Sequence, residues 1–250
     1  MALSLIAVCS SSGCSTNSEE TRGLSGVPVI PYNHVWSADE GIDLFSRGAE
    51  LVRAAQETRI YGYYVGIKNS YPGFADALGP DVRRNKQIDH IEADSLALAR
   101  QRPHTNFEYM TDYSGTSTSV SATVCGYLTF PGKRQPENRP MSLNTVHRIR
   151  LVNTADAPGV AGIPDAEASR KDPRAHRRPD WNVFGTWRIV ELQSWQEADL
   201  PGRCADWWQK QFPTFTRSAN NYMLSPPGFE LPPMPVAHQY PEWIGPSHPE

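Results

Sequence analysis

Cysteines, a carboxylate–histidine cluster, a basic loop and a set of tyrosines are the residues of this chain that could do chemistry. Two of its four cysteines, Cys125 and Cys204, lie well inside the chain. In an exported protein two such cysteines usually pair, and closing a loop of that length contributes roughly 4 kcal/mol in the chain-entropy description. Two buried free thiols are the alternative. The run Asp89-His90-Ile91-Glu92-Ala93-Asp94 holds ligand types that suit a metal. Carboxylates in the first turn of a polar helix explain it without an ion, so no metal and no cofactor are expected. His147, beside Arg148 and Arg150, could face a cavity or stand on a polar sheet face. Tyr61, Tyr63 and Tyr64 could line a pocket with Trp187, or pack as amphipathic core aromatics. Arg170, Lys171, Arg174, Arg177 and Arg178 put five positive charges into residues 170–178. Such a loop could meet anionic headgroups or a wall polymer; a solvated hairpin loop is the plainer reading. No phosphate-binding glycine loop, dinucleotide fingerprint, serine-hydrolase elbow, HExxH, EF-hand loop or CxxC pair occurs.

The elements that must position these residues centre on Trp181–Trp195, WNVFGTWRIVELQSW. β-branched and aromatic residues fit a pleated, half-buried surface, so this stretch predicts a long strand near the middle of an antiparallel sheet. A Ser37-Ala38-Asp39-Glu40 capping box opens a predicted amphipathic helix to about Thr58. Ile42, Phe45, Ala49 and Val52 form its inner stripe, and Asp43, Arg47, Glu50 and Arg53 its opposite face. Ile60–Ile67 continues apolar and aromatic, as a second helix or a continuation. Ser70–Leu78 reads as a short helix stopped by Gly79-Pro80, and Ala93–Gln101 as another. Strands follow at Asn106–Thr111, Ser114–Phe130 and Leu143–Val152, the second with clean alternation of Val120, Ala122 and Val124 against Ser119, Ser121 and Thr123. Trp207, Trp208 and Phe212 recur at helical spacing beside Cys204. From Ser225 the chain is Pro-dense, which favours extended chain.

Of 250 residues, 39% are hydrophobic and 22 are Pro: a modest core with much irregular chain around it. A net charge of -3 carries no nucleic-acid signature. Met1–Val8 is too short to span a bilayer but suits most of a signal-peptide apolar region. Small residues then lead to Ser12-Gly13-Cys14, which resembles the cleavage site of bacterial lipoproteins. That resemblance implies a lipid on Cys14, an exported chain and a membrane tether as partner. Residues 1–14 are then a signal peptide, 15–36 a flexible linker, 37–215 the folded body and 216–250 an extended Pro-rich tail.

Helices first and antiparallel strands after them mean α+β. The order and lengths of elements from about residue 37 to 197 resemble the NTF2-like (cystatin-like) cone, in which helices lie across a curved antiparallel sheet. That resemblance implies a cavity between sheet and helices, with Phe45, Val52, Val124, Trp187 and Ile189 where the layers meet. The expected function is a non-catalytic cell-envelope lipoprotein that binds a partner protein or small ligand. A pocket enzyme using a buried Asp, His or Tyr, and an immunity or exclusion lipoprotein masking an envelope component, are the alternatives.

Overall fold

The computed structural model describes residues 31–80, 82, 103–129, 141–154, 161–162, 174–232 and 234–245. The body opens with a strand. In β1, Tyr32–Ala38, the residues Tyr32, His34 and Trp36 are buried and alternate with Asn33, Val35 and Ser37, a period of two. β1 runs parallel to β2, His104–Gly115. Antiparallel pairing then adds β3, Ser119–Thr129, β5, Thr145–Asn153, and β7, Trp187–Ser194. The strand order is β1-β2-β3-β5-β7, so the fold is mixed α+β with a mostly antiparallel sheet.

One face carries the long helix α1, Arg47–Val65, and the one-turn helix α2, Phe74–Ala77. Leu51, Val52 and Ala55 of α1 meet Val124, Ile149, Leu151, Trp187 and Ile189 there. The other face carries α3, Gly202–Gln211, whose Cys204, Trp207 and Trp208 pack on Cys125 and Val146. The Cys125 and Cys204 sulfurs stand at disulfide distance, with Cα–Cα 5.5 Å, and tie α3 to β3. Three short strands, β4 (Ser142–Leu143), β8 (Thr216–Arg217) and β9 (Met223–Leu224), pair in the order β4-β9-β8. β6, Ala175–His176, pairs with β10, Trp243–Ile244.

Several expectations change. The first helix starts at Arg47 rather than Ser37. Ser46 is its N-cap and accepts a hydrogen bond from the Ala49 amide at 3.4 Å. Ser37 lies in β1, its hydroxyl donating to the Glu108 carbonyl at 3.3 Å. A short-range capping pattern lost to a seven-residue parallel ladder, which pairs many more backbone groups. Residues 32–36, expected in the linker, are therefore strand. Phe45 stands outside the core, edge-on to Tyr240. α1 runs on unbroken through Tyr61 and Tyr64.

The Trp-rich ribbon is a strand only from Trp187, and it forms the sheet edge rather than its middle. Trp181–Thr186 turns instead. Asn182 Oδ1 accepts from the Phe184 and Gly185 amides at 3.1 and 2.9 Å, the local bond that makes Asn a turn former. The Gly79 amide donates to Ile189 O at 3.0 Å and covers part of that edge.

The α1 face expected to be solvated is buried. Glu50 and Arg53 of that face, and Glu57 beside it, are each at most 6% exposed, because Gly162 lies against Glu50 and the C-terminal segment returns over Arg53 and Glu57. Tyr240 pairs in parallel with Val35: its amide donates to His34 O at 2.9 Å, and its carbonyl accepts from Trp36 N at 2.8 Å. No helix among the described residues is long and apolar enough to cross a membrane.

Candidate functional site

Strand register assembles a polar patch under the C-terminal half of α1. The β1–β2 ladder sets Tyr32 beside His104, His34 beside Asn106 and Trp36 beside Glu108. All six are buried. On β3, Gly126 faces Glu108; a Cβ there would stand 2.9 Å from Glu108 Oε2, so only glycine leaves room for the carboxylate to lean across. Further along the sheet, His147 of β5 pairs with Ser194 of β7, its Nε2 3.4 Å from the Ser194 hydroxyl.

α1 closes the patch with two polar side chains. Gln56 Nε2 donates to the two Glu108 oxygens at 3.3 and 3.4 Å, and Arg59 Nε donates to Gln56 Oε1 at 3.3 Å. The guanidinium of Arg59 lies close enough to act electrostatically on Glu108, His147 and Tyr32. Burial, then Arg59, push the His147 imidazolium pKa well below its ordinary value, so the ring is neutral near pH 7. Burial, then Tyr64 and Glu57, hold the Tyr32 phenol well above its usual range, so it keeps its proton and can donate.

Several of these groups are unsatisfied. Tyr32 Oη, His34 Nδ1, Asn106 Nδ2, His147 Nδ1 and Tyr61 Oη are buried without a hydrogen-bond partner. His34 Nδ1 comes no closer than 3.8 Å to Glu108 Oε1. Buried polar atoms without a side-chain or backbone partner occur elsewhere too, at Trp181, Trp187 and Trp208 Nε1; native interiors meet such atoms with water or a ligand.

One turn-position away the same helix shows the opposite state. Glu57 is fully buried and its carboxylate accepts from Trp36 Nε1 at 2.8 Å, Trp243 Nε1 at 2.7 Å, the Tyr71 hydroxyl at 2.8 Å and Gln239 Nε2 at 3.3 Å. Arg53 lies 4.6 Å over the Trp243 ring. This is a latch for the returning tail, with its acceptors filled.

Among the described residues the patch does not bring together the three parts of a nucleophilic triad. A Ser–His pair needs an acid on the second imidazole nitrogen to fix the tautomer, and His147 Nδ1 has none. No group of three or more His, Cys, Asp or Glu among the described residues could hold a metal. What the patch offers is one guanidinium, neutral donors and a single carboxylate.

The sequence-predicted site residues divide. Tyr61, Tyr64 and His147 stand at the end of the sheet where β2 and β5 begin. Tyr64 packs on Tyr32 at 5.8 Å between centroids, and Tyr61 packs on Tyr71 at 5.9 Å. Trp187 is at the other end: it pairs with Asn153, seven residues along β7 from the partner of His147, about 23 Å at the usual strand rise. It is core, not pocket. Of the basic loop, Arg174 is exposed, while Arg177 and Arg178 fold back onto the body. Arg177 donates to Asn33 Oδ1 at 2.5 Å and to the Tyr32 carbonyl, and the Arg178 guanidinium lies 4.8 Å over the Tyr61 ring. Arg170, Lys171, Cys14 and the Asp89–Asp94 cluster lie outside the described residues.

Sequence reasoning missed Tyr32, His34, Arg59, Asn106 and Glu108. A signal existed: His104, Asn106 and Glu108 occupy alternate positions of a strand whose intervening residues include Phe107 and Tyr109, the period of a face that is inside yet polar. No protein-family model matches this chain, and no curated protein or solved structure does either.

Proposed function

We propose that this protein is an exported, lipid-anchored envelope protein that holds a small polar ligand, without turning it over, between α1 and the sheet. One observation carries the reading: Tyr32, His34, Asn106 and His147, on the sheet face that α1 covers, each keep a buried polar atom without a partner. An interior built only for stability would pair or omit them. The lipid on Cys14, the outer-face location and the NTF2-like cone remain parts of the proposal. A long helix laid across a mostly antiparallel sheet supports the cone, and the signal-like N-terminus supports the anchor. A cysteine pair at disulfide distance suits an oxidising compartment.

Two measurements test this. Mass spectrometry of the mature N-terminus should find a diacylglyceryl-cysteine at residue 14; an intact Met1 in the cytosol sinks the location. Thermal-shift screening of the full chain in detergent against fractions of a small-molecule extract should find one that raises the melting temperature. The ligand reading fails if no fraction does and a crystal structure shows ordered water on every one of the four atoms.

A further inference from the structure

We propose that the entrance to the site under α1 is the seam between α1 and β1, that Gln239 plugs it, and that a ligand enters when residues 236–240 lift. This rests on the ligand-binding reading above and names how access to that site is controlled. The site needs a door: Tyr32, His34, Asn106 and Glu108 are each at most 6% exposed. Two of its walls are fixed. The floor is a sheet whose inner strands are paired on both sides. The roof is α1, an unbroken helix of 19 residues with Leu51, Val52 and Ala55 in the core. The third wall is the returning tail. Leu231 and Trp243 are buried and anchor its two ends. Between them, Val236 and Ala237 are half-buried, His238 and Tyr240 are exposed, and only Gln239 is buried.

The Gln239 carboxamide spans the seam. Its Oε1 accepts from the His34 amide of β1 at 2.8 Å, and its Nε2 donates to Glu57 Oε2 of α1 at 3.3 Å. A backbone N–H only donates and a carboxylate only accepts, so the carboxamide has one orientation. The site lies directly behind it: His34 Nδ1 is 3.8 Å from Glu108 Oε1, and the parallel ladder sets His34 beside Asn106. The rest of the grip on the sheet is slight. Tyr240 bridges to Val35, with its amide on His34 O at 2.9 Å and its carbonyl on Trp36 N at 2.8 Å. The Ala237 carbonyl accepts from Asn33 Nδ2 at 2.7 Å, and its amide donates to Thr105 Oγ1 at 2.9 Å. The Tyr240 ring meets Phe45 edge-on at 6.3 Å. A segment held by a few hydrogen bonds, with no large apolar side chain buried, opens locally at less cost than the core does. Trp243 need not leave Glu57 for residues 236–240 to lift, so the anchor keeps its hold while the seam is open.

The test needs no ligand. Native-state hydrogen exchange of the full chain should find the His34 and Trp36 amides, whose acceptors are Gln239 Oε1 and the Tyr240 carbonyl, exchanging roughly tenfold or more faster than Val124 and Cys125 in the middle strand. Thiol labelling gives the second readout, in a full chain carrying Cys9→Ser and Cys14→Ser. Asn106→Cys places a thiol behind the plug, and Leu192→Cys places one in the core on β7. Iodoacetamide should label position 106 roughly tenfold or more faster than position 192, with little dependence on urea, because a local opening exposes little surface. Gln239→Glu keeps the size of the plug and sets a carboxylate against Glu57, so it should speed labelling at position 106 by roughly tenfold. If Asn106→Cys does not fold, exchange at His34 and Trp36 in the chain with and without Gln239→Glu carries the test. Equal rates and equal urea dependence at positions 106 and 192 would mean that the seam opens only on global unfolding and would overturn the inference. So would fast labelling at 106 that ignores Gln239→Glu, which puts the door elsewhere. Should the thermal-shift screen find a ligand while position 106 stays shut, the entrance is wrong and the ligand reading survives. Should the seam open as expected and the screen with its crystal structure fail, the ligand reading falls and the local opening stands.

Discussion

The Glu57 latch makes a quantitative demand on Trp243. The Trp243 indole N–H donates to Glu57 Oε2 at 2.7 Å, and its ring stands edge-on to Tyr71 and Trp181 at 6.0 and 6.2 Å. Trp243→Phe keeps an aromatic in the hole and removes that donor. A hydrogen bond to a charged group is worth about 1.5–3 kcal/mol, and the lost ring area adds about 1 kcal/mol. The expected cost is therefore about 3 kcal/mol. In a chain of 250 residues each kcal/mol moves the melting temperature by roughly 2–4 °C, so a fall of about 6–12 °C follows. Urea melts of wild type, Trp243→Phe, Glu57→Gln and the double variant close a cycle. In Glu57→Gln one oxygen becomes an amide that points N–H at N–H, so a donor is already orphaned. Adding Trp243→Phe should then cost at least about 1 kcal/mol less than it does in wild type. Strict additivity, or a single-variant cost below about 0.5 kcal/mol, would refute the latch and return the tail to the status of a passive cover.

Three other outcomes are expected. On unfolded, unreduced protein beginning after residue 14, thiol titration should find no reactive cysteine, and Cys204→Ser should cost roughly 4 kcal/mol for a separation of 79 residues; two reactive thiols would remove the bond. Burial pushes the Asp39 carboxyl up, but hydrogen bonds from Thr111 and Tyr109 and the charge of Arg203 outweigh it and leave its pKa below the ordinary value. Its contribution is present above the unfolded-state value of about 3.9 and is lost as pH falls through the folded one, so Asp39→Asn should destabilise at pH 7 and converge with wild type in acid. For His147 the folded pKa is depressed, so above about pH 6.5 both states are neutral and the ring contributes nothing. Below that the unfolded chain takes the proton and the folded one resists it. Wild type should lose stability on acidification from there, and His147→Asn should show a shallower acid limb in pH-dependent melts.

Much of the fold was legible because it is local. The alternation of Val120, Ala122 and Val124 and the helical spacing of Trp207 and Trp208 are read directly from neighbouring residues, and both elements form. What failed depended on partners distant in sequence. Ser37 looked like a cap because the sequence cannot show that β2, some seventy residues on, will take its backbone. Glu50 and Arg53 looked solvated because their cover, Gly162 and Trp243, arrives more than a hundred residues later. The Trp-rich ribbon looked central because apolar content reports burial and not place in the sheet: a two-residue bridge at Leu78 and the packing of Phe74 on Phe184 bury an edge strand well enough. The site residues were hidden for the same reason. Only the parallel register puts His34 beside Asn106, and only the absence of a side chain at Gly126 lets Glu108 turn inward.

The two polar interiors on α1 argue against each other as explanations of one thing. If buried polarity served only to fix the tail, both should look like Glu57, whose oxygens are met by four donors at 2.7–3.3 Å. If α1 merely tolerated stray polar residues, neither should be so ordered. Instead the saturated cluster sits where β1, α1 and the tail meet, and the unsaturated one lies next along the helix, where Arg59 bonds Gln56 and Gln56 bonds Glu108, with His34 Nδ1 3.8 Å from that carboxylate. A chain able to pair four donors on one carboxylate has left a guanidinium fork and several buried donors unpaired a turn away. An unmade buried hydrogen bond costs about 1–3 kcal/mol, so a handful of them is a large fraction of the 5–15 kcal/mol that holds an ordinary domain together. Such a deficit is tolerable in the resting protein if water enters and is removed outright if a ligand does. The stability of the full chain should therefore depend more on what occupies this patch than on any single residue of its apolar core.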